Sequence, residues 1–295
     1  MDARSLLKDA KRLVGRAAKL SYPTERANRL RVLRSATQRD PGAWVVFQMG
    51  KVGSTSVSAS LEALPGRPHV YHSHFLTHGG ISWAEEQYRS NYARTRTLPA
   101  HVIDSLVLRE RLDAGATLGW RVVTLLRDPV ARNLSSFFQT MYLDRPDVDV
   151  SDTSDAAMSR LHALFIDEFD HEFPLEWLDV ELGAALGVDA YEAEADGPGA
   201  FVVPAKASRP AVLLLTLEQL RDHGVGALGR FVERPHIELI DANQAEDKHY
   251  AGAYRRFADT VELPASYLDL MYGSKMVTSF YDAPTIATFR DRWSR

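Results

Sequence analysis

Three short, almost wholly apolar runs dominate the chain: Ala43–Phe47, Trp120–Leu126 and Val212–Leu217. Each is too short for an independent helix, and the near absence of polar alternation leaves no face for water. Such runs read as strands buried on both sides of a sheet. Each is followed at once by a turn and a helix-forming stretch. After the first, a Gly-containing loop leads to a helix at about Ser56–Leu64. After the second, Asp128-Pro129 supplies an N-cap and a proline at the first helical position, opening a helix through about Met141. After the third, a helix is expected at 218–223. Further strands are expected at His69–His74 and His236–Asp241, and a hairpin within 187–204. Helices are expected at Ile103–Ala114, Leu161–Phe169, Leu175–Ala185, 249–259, 264–273 and Pro284–Trp293. Strands alternating with helices define an α/β fold with a mostly parallel central sheet flanked by helices, and extra helices at the C-terminus.

Two strand–helix junctions carry chemistry. The first is Gln48-Met49-Gly50-Lys51-Val52-Gly53-Ser54-Thr55-Ser56. Its glycines let the backbone approach a ligand, the helix start offers unpaired N–H groups, Lys51 adds a charge and three residues add hydroxyls. This is an anion site of phosphate or sulfate size. It is not a Walker A loop, in which lysine directly precedes the helical Ser/Thr. The second junction runs Leu126-Arg127-Asp128-Pro129-Val130-Ala131-Arg132-Asn133-Leu134-Ser135. Arg127 ends a strand, at the edge where α/β folds bind ligands, and its planar fork suits a phosphate. Ser135 lies two turns into the following helix. Each junction alone also fits an ordinary solvated turn. Together they suit a ligand with two separated phosphates.

At these residues the chain resembles the sulfotransferases that use 3′-phosphoadenosine 5′-phosphosulfate (PAPS). Lys51-Val52-Gly53-Ser54-Thr55-Ser56 resembles that family's 5′-phosphosulfate loop, and Arg127 with Ser135, eight positions on, resembles its 3′-phosphate pair. More narrowly, it resembles bacterial proteins described by a role in capsular polysaccharide synthesis, which carry an Asn and then Lys-Trp-Tyr-Ser. Here that segment reads Asn243-Gln244-Ala245-Glu246-Asp247-Lys248-His249-Tyr250-Ala251, with His249 for Trp and Ala251 for Ser. Phe280-Tyr281 and Arg292-Trp293 resemble the same family's tail. The resemblance spans roughly residues 43–295. It implies a P-loop-like sulfotransferase fold over 41–295 and transfer of a sulfuryl group from PAPS, leaving 3′,5′-adenosine bisphosphate (PAP), with no metal. The implied acceptor is a hydroxyl of a carbohydrate, glycoconjugate or related molecule. Lys51 would meet the leaving oxygen. Val52, Gly53, Ser54, Thr55 and Ser56 would hold the 5′-phosphate, and Arg127 and Ser135 the 3′-phosphate. Lys248 would close over the nucleotide, or stand in solvent.

The acceptor proton needs a base. His74, in Tyr71-His72-Ser73-His74-Phe75, follows the second expected strand, and alternation puts it on the same face as His72. A hydrogen-bonded structural histidine is the plain alternative, and Glu85 and Glu86 are others. His72 and His74 have no evident third partner for a metal. Two other functions remain open: a kinase-like nucleotide transferase, against which the non-Walker order counts, and a non-catalytic scaffold of polysaccharide assembly.

Charge is uneven. Residues 1–40 hold eleven Lys/Arg and four Asp/Glu, against a net charge of −4 for all 295 residues. Apolar residues recur at helical spacing within 3–20, so 1–40 reads as a basic amphipathic helical segment, either a solvated surface helix or a peripheral membrane contact. The acidic total argues against nucleic acid as a partner. Cysteine is absent, which excludes disulfides and a thiolate nucleophile. No apolar run has the length of a membrane span, and a cytoplasmic location, membrane-peripheral if the first helix docks, is expected.

Overall fold

The computed structural model describes residues 21–38, 42–117, 119–207, 209–242 and 248–294. The amphipathic helix expected at 3–20 lies outside the described residues. The chain enters through α1 (Tyr22–Thr37). It continues through β1 (Ala43–Phe47), α2 (Ser54–Glu62), β2 (Val70–Ser73), α3 (His78–Thr95), α4 (Ala100–Asp113), β3 (Trp120–Leu126), α5 (Pro129–Asp144) and α6 (Asp155–Glu168). Helix α7 (Phe173–Trp177) runs on through a π-helical turn, Leu178–Gly183. The hairpin strands β4 (Glu194–Gly197) and β5 (Ala200–Val203) follow, then β6 (Ala211–Thr216), α8 (Val225–Phe231), α9 (Ala251–Thr260), α10 (Ala265–Tyr272), α11 (Lys275–Phe280) and α12 (Ala283–Trp293).

The sheet has six strands in the order β2-β1-β3-β6-β5-β4. The first four are parallel. β5 and β4 are antiparallel, which is where the expected mostly parallel sheet stops being parallel. All five residues of β1 are buried, as are six of the seven of β3. Burying a Val or Phe side chain in such a position stabilises by about 1.5–3 kcal/mol, so these strands have one register.

The sheet order contains a switch point among its parallel strands. From β1 the chain crosses to β2 on one side, then returns past β1 to β3 on the other. Between β1 and β3 the order reverses, and a crevice opens outside their carboxyl ends, the standard ligand position of open α/β sheets. The two junctions singled out in the sequence, after Phe47 and after Leu126, both end there.

Two expectations are corrected. His236–Asp241 is not a strand. Its backbone N–H groups are drawn off by hydroxyls of α2: Ile240 donates to Ser60 Oγ (2.8 Å) and Ala242 to Ser56 Oγ (3.3 Å). The helix expected at 218–223 is a 3-10 turn at Leu217–Gln219 followed by a π-helical turn at Leu220–Gly224. No helix among the described residues is long and apolar enough to cross a membrane.

Candidate functional site

The loop after β1 turns through left-handed backbone at Gly50 (φ 80°), Lys51 (φ 67°) and Gly53 (φ 84°). At Gly53 a side chain is doubly barred, because a Cβ there would stand 2.5 Å from Leu217 Cδ1. Lys51 is not a glycine, and left-handed backbone costs it about 1–2 kcal/mol. The loop holds this shape because its carbonyls are tied down from the β3 side. Arg132 donates to the Met49 carbonyl (3.0 Å) and to the Gly50 carbonyl (3.4 Å), and Arg127 Nη1 donates to the Lys51 carbonyl (2.9 Å). Arg132 is buried, lies over the Phe173 ring, and is pushed down to about 10 by burial. Arg127 spends one of its five donors on the loop, so both charges sit beside it.

Lys51 is half-buried. Its ammonium donates to Gln139 Oε1 on α5, which also accepts from Lys248 Nζ (3.0 Å) and Tyr250 OH (3.4 Å). Three donors, two of them cationic, thus converge on one neutral amide oxygen. Among the described residues, Lys51, Arg127, Arg132 and Lys248 are not ion-paired with any carboxylate. Burial, then repulsion from Lys248, Arg127 and Arg132, lowers Lys51 to about 7. Asp170 acts electrostatically on Arg132 without pairing to it, and an excess of cations of this kind attracts anions.

Of the other residues expected here, Val52 and Ser54 are buried and Thr55 is exposed at the start of α2. Ser54 Oγ accepts from Gln48 Nε2 (2.8 Å), and Ser56 Oγ is engaged by Ala242. Ser135 is half-buried on α5. Lys248 reaches the site through Gln139.

On the other side of Lys51 opens a cleft of about 880 Å³, lined by Lys51, His74, Trp83, Tyr88, Arg132 and Gln139 among others. His74 and His72 do share a side of β2, with ring centroids 5.0 Å apart, and His101 of α4 joins them, 4.3 Å from His74. Burial keeps His74 at about 4 and His72 at about 3, so both are neutral at pH 7. Asp104 accepts from the His72 backbone N–H (2.9 Å), and burial raises its carboxyl to about 7. Among the described residues no group of His, Asp or Glu has the arrangement of a metal site. Glu85 and Glu86, the other candidate bases, are committed to Arg26 and to Arg89 and Ser90 respectively.

Gln48, Arg132, Gln139 and His101 belong to this site and had no assigned role on sequence grounds. Arg132 stands inside the second quoted motif, and Gln48 opens the first, so proximity to the motifs was the available signal. Gln139 and His101 carry none.

Residues 147–282, a little under half of the chain, match the sequence model of the NKWYS family, described as "Putative capsular polysaccharide synthesis protein". The match includes Lys248 and Tyr250 but not the Lys51 loop or Arg127, and is narrower than the 43–295 span read from the motifs. No curated protein matches the chain. No solved structure matches it either.

Proposed function

We propose that the protein is a sulfotransferase that moves a sulfuryl group from PAPS to a hydroxyl of a carbohydrate or glycoconjugate. The observation that carries this reading is the setting of Lys51. It stands in a cation cluster with no ion-paired carboxylate among the described residues at the β1/β3 switch point and, on its other side, lines a cleft that holds His74 together with Asp144, Asp170 and Glu181. The fit to PAPS rests on charge: the donor has anionic groups at both ends of its ribose, and the chain offers one cationic junction after each of two neighbouring strands. The polysaccharide connection of the matched family supports a sugar acceptor.

In this reading the loop from Lys51 to Ser56, with Lys248, holds the 5′-phosphosulfate, and Arg127 with Ser135 holds the 3′-phosphate. The acceptor oxygen attacks sulfur, the bond from sulfur to the 5′-phosphate oxygen breaks, and PAP leaves. Lys51 offsets the negative charge that develops on the leaving oxygen. His74, neutral at working pH, takes the hydroxyl proton.

The test is incubation with ³⁵S-labelled PAPS and a panel of mono- and oligosaccharides. Transfer of label to a saccharide, with release of PAP, is the expected result. Phosphoryl transfer from ATP in place of sulfuryl transfer would overturn the reading in favour of a kinase-like enzyme. PAP binding with no transfer to any saccharide or glycolipid would favour a scaffold.

A further inference from the structure

Gln48 is fully buried at the end of β1, and its side chain touches four groups at once. Its orientation is fixed by the Gly50 backbone N–H, which donates to Gln48 Oε1. An N–H can only donate, so the oxygen end of the amide faces the loop and the nitrogen end faces the histidines. Nε2 then has three neighbours, Ser54 Oγ at 2.8 Å, His72 Nε2 at 3.1 Å and His74 Nδ1 at 2.9 Å, but only two hydrogens. His74 Nδ1 also lies 2.9 Å from the Gln48 backbone carbonyl, which can only accept. One assignment gives the carbonyl a donor and each amide hydrogen an acceptor, three bonds in place of two, although it leaves Gln48 Nε2 and His74 Nδ1 as neighbouring donors. His74 carries its proton on Nδ1 and donates it to the Gln48 carbonyl, and the two amide hydrogens go to Ser54 Oγ and His72 Nε2. The other His74 nitrogen, Nε2, is then a lone pair. It lies 3.9 Å from where a Cβ on Gly50 would stand, so it faces the loop that carries Lys51.

We propose that Gln48 is a positioning residue: its backbone carbonyl holds His74 as the Nδ1–H tautomer with Nε2 free to accept a proton beside Lys51, while its side-chain amide seats the neighbouring His72 ring and the loop. The same amide holds the Gly50 N–H and Ser54, so the anion loop and the base are set by one residue. The His74 role rests on the sulfotransferase reading above; the tautomer does not.

The experiment therefore has two arms. In the first, the full-length protein with ¹⁵N-labelled histidine is examined by NMR between pH 5.5 and 8.5. The expected spectrum shows His74 with a protonated Nδ1 and an unprotonated Nε2 throughout. A protonated Nε2, or an even tautomer mixture, overturns the proposal whatever the enzyme does. In the second arm, Gln48→Met and Gln48→Glu are compared with wild type for tautomer state, PAP affinity and turnover. Gln48→Met keeps the backbone carbonyl but loses the amide that seats His72, Gly50 and Ser54, so the Nδ1–H tautomer should hold while the His74 resonances shift, and both kcat and PAP affinity should fall, kcat by about 10-fold or more. Gln48→Glu keeps the Gly50 acceptor but sets a carboxylate against both rings, which favours imidazolium. Its kcat should therefore lose activity on the acid side at a higher pH than wild type. A purely structural glutamine would lower yield and melting temperature while leaving the His74 spectrum and the pH profile unchanged. If the tautomer is as expected and no sulfuryl transfer occurs, the enzyme reading fails and the Gln48 assignment stands.

Discussion

Two polar clusters sit at the carboxyl edge of the same sheet and differ in charge. On the β3/β6 side, Asp128 is buried and fully supplied. Its Oδ1 accepts from the Val130 N–H (3.0 Å) and Tyr272 OH (3.0 Å), and its Oδ2 from Trp293 Nε1 (2.9 Å). Its own N–H donates to Glu218 Oε1 (2.8 Å), and Tyr281 OH supplies Glu218 Oε2 (3.0 Å). On the β1/β3 side, Lys51, Arg127, Arg132 and Lys248 gather with no carboxylate ion-paired to them among the described residues, and two lysines share one amide oxygen. The first cluster is complete and fastens the C-terminal helices to the sheet. The second is hydrogen-bonded but not charge-balanced by ion pairs among the described residues. Both clusters obey the rule that buried polar groups find partners; what sets the second apart is its excess of positive charge, the ground for proposing an anion there.

Substitutions should separate the two clusters. The largest effect is expected at Asp128. Asp128→Ala strips the acceptor from three buried donors, each worth about 1–3 kcal/mol when orphaned. Urea unfolding should show a loss of about 3–5 kcal/mol, and a loss below 1 kcal/mol would break the contrast. Lys51→Ala should do the reverse. Turnover should fall about 10²- to 10³-fold, the usual cost of one preorganised transition-state donor, while the melting temperature holds or rises slightly because repulsion is relieved. A melting temperature lowered by many degrees would make Lys51 structural.

How much of this the sequence disclosed divides along the same line. β1, β3 and β6 were legible because strands buried on both faces leave unbroken apolar runs, and β3 has the bounds its pattern predicts. Helix α3 was not foreseen: it starts with His78-Gly79-Gly80 and buries only Ile81, Ala84 and Tyr92. His236–Asp241 was misread because Ile237 and Leu239 alternate like a strand, although its N–H groups go to serines of α2 instead. In the site, Lys51 and Arg127 were readable from local chemistry. Gln139 was not, because its role is set by the distant Lys248 and Tyr250.

A smaller effect is expected in protons. The folded, ligand-free protein holds Lys51 at about 7, below the ordinary lysine value of 10.5. Between those pH values the unfolded chain binds a proton that the folded one lacks. The cost of this lysine to stability is therefore present in full below pH 7 and fades as pH rises toward 10.5. An anion beside it returns the pKa upward. Calorimetric titration of PAP at pH 8, in two buffers of different ionisation enthalpy, should show uptake of about one proton. No uptake would mean that the nucleotide does not reach Lys51.

The most direct measurement is thermal shift of the wild type and of Arg127→Ala with PAP, ADP and ATP at matched concentrations. A ligand at 100 times its Kd adds about 2.7 kcal/mol to the folded state. The account predicts a rise of several degrees in wild type with PAP, little with ADP or ATP, and most of the PAP shift lost in Arg127→Ala. Equal shifts with PAP and ADP, or an undiminished PAP shift in the variant, would contradict it.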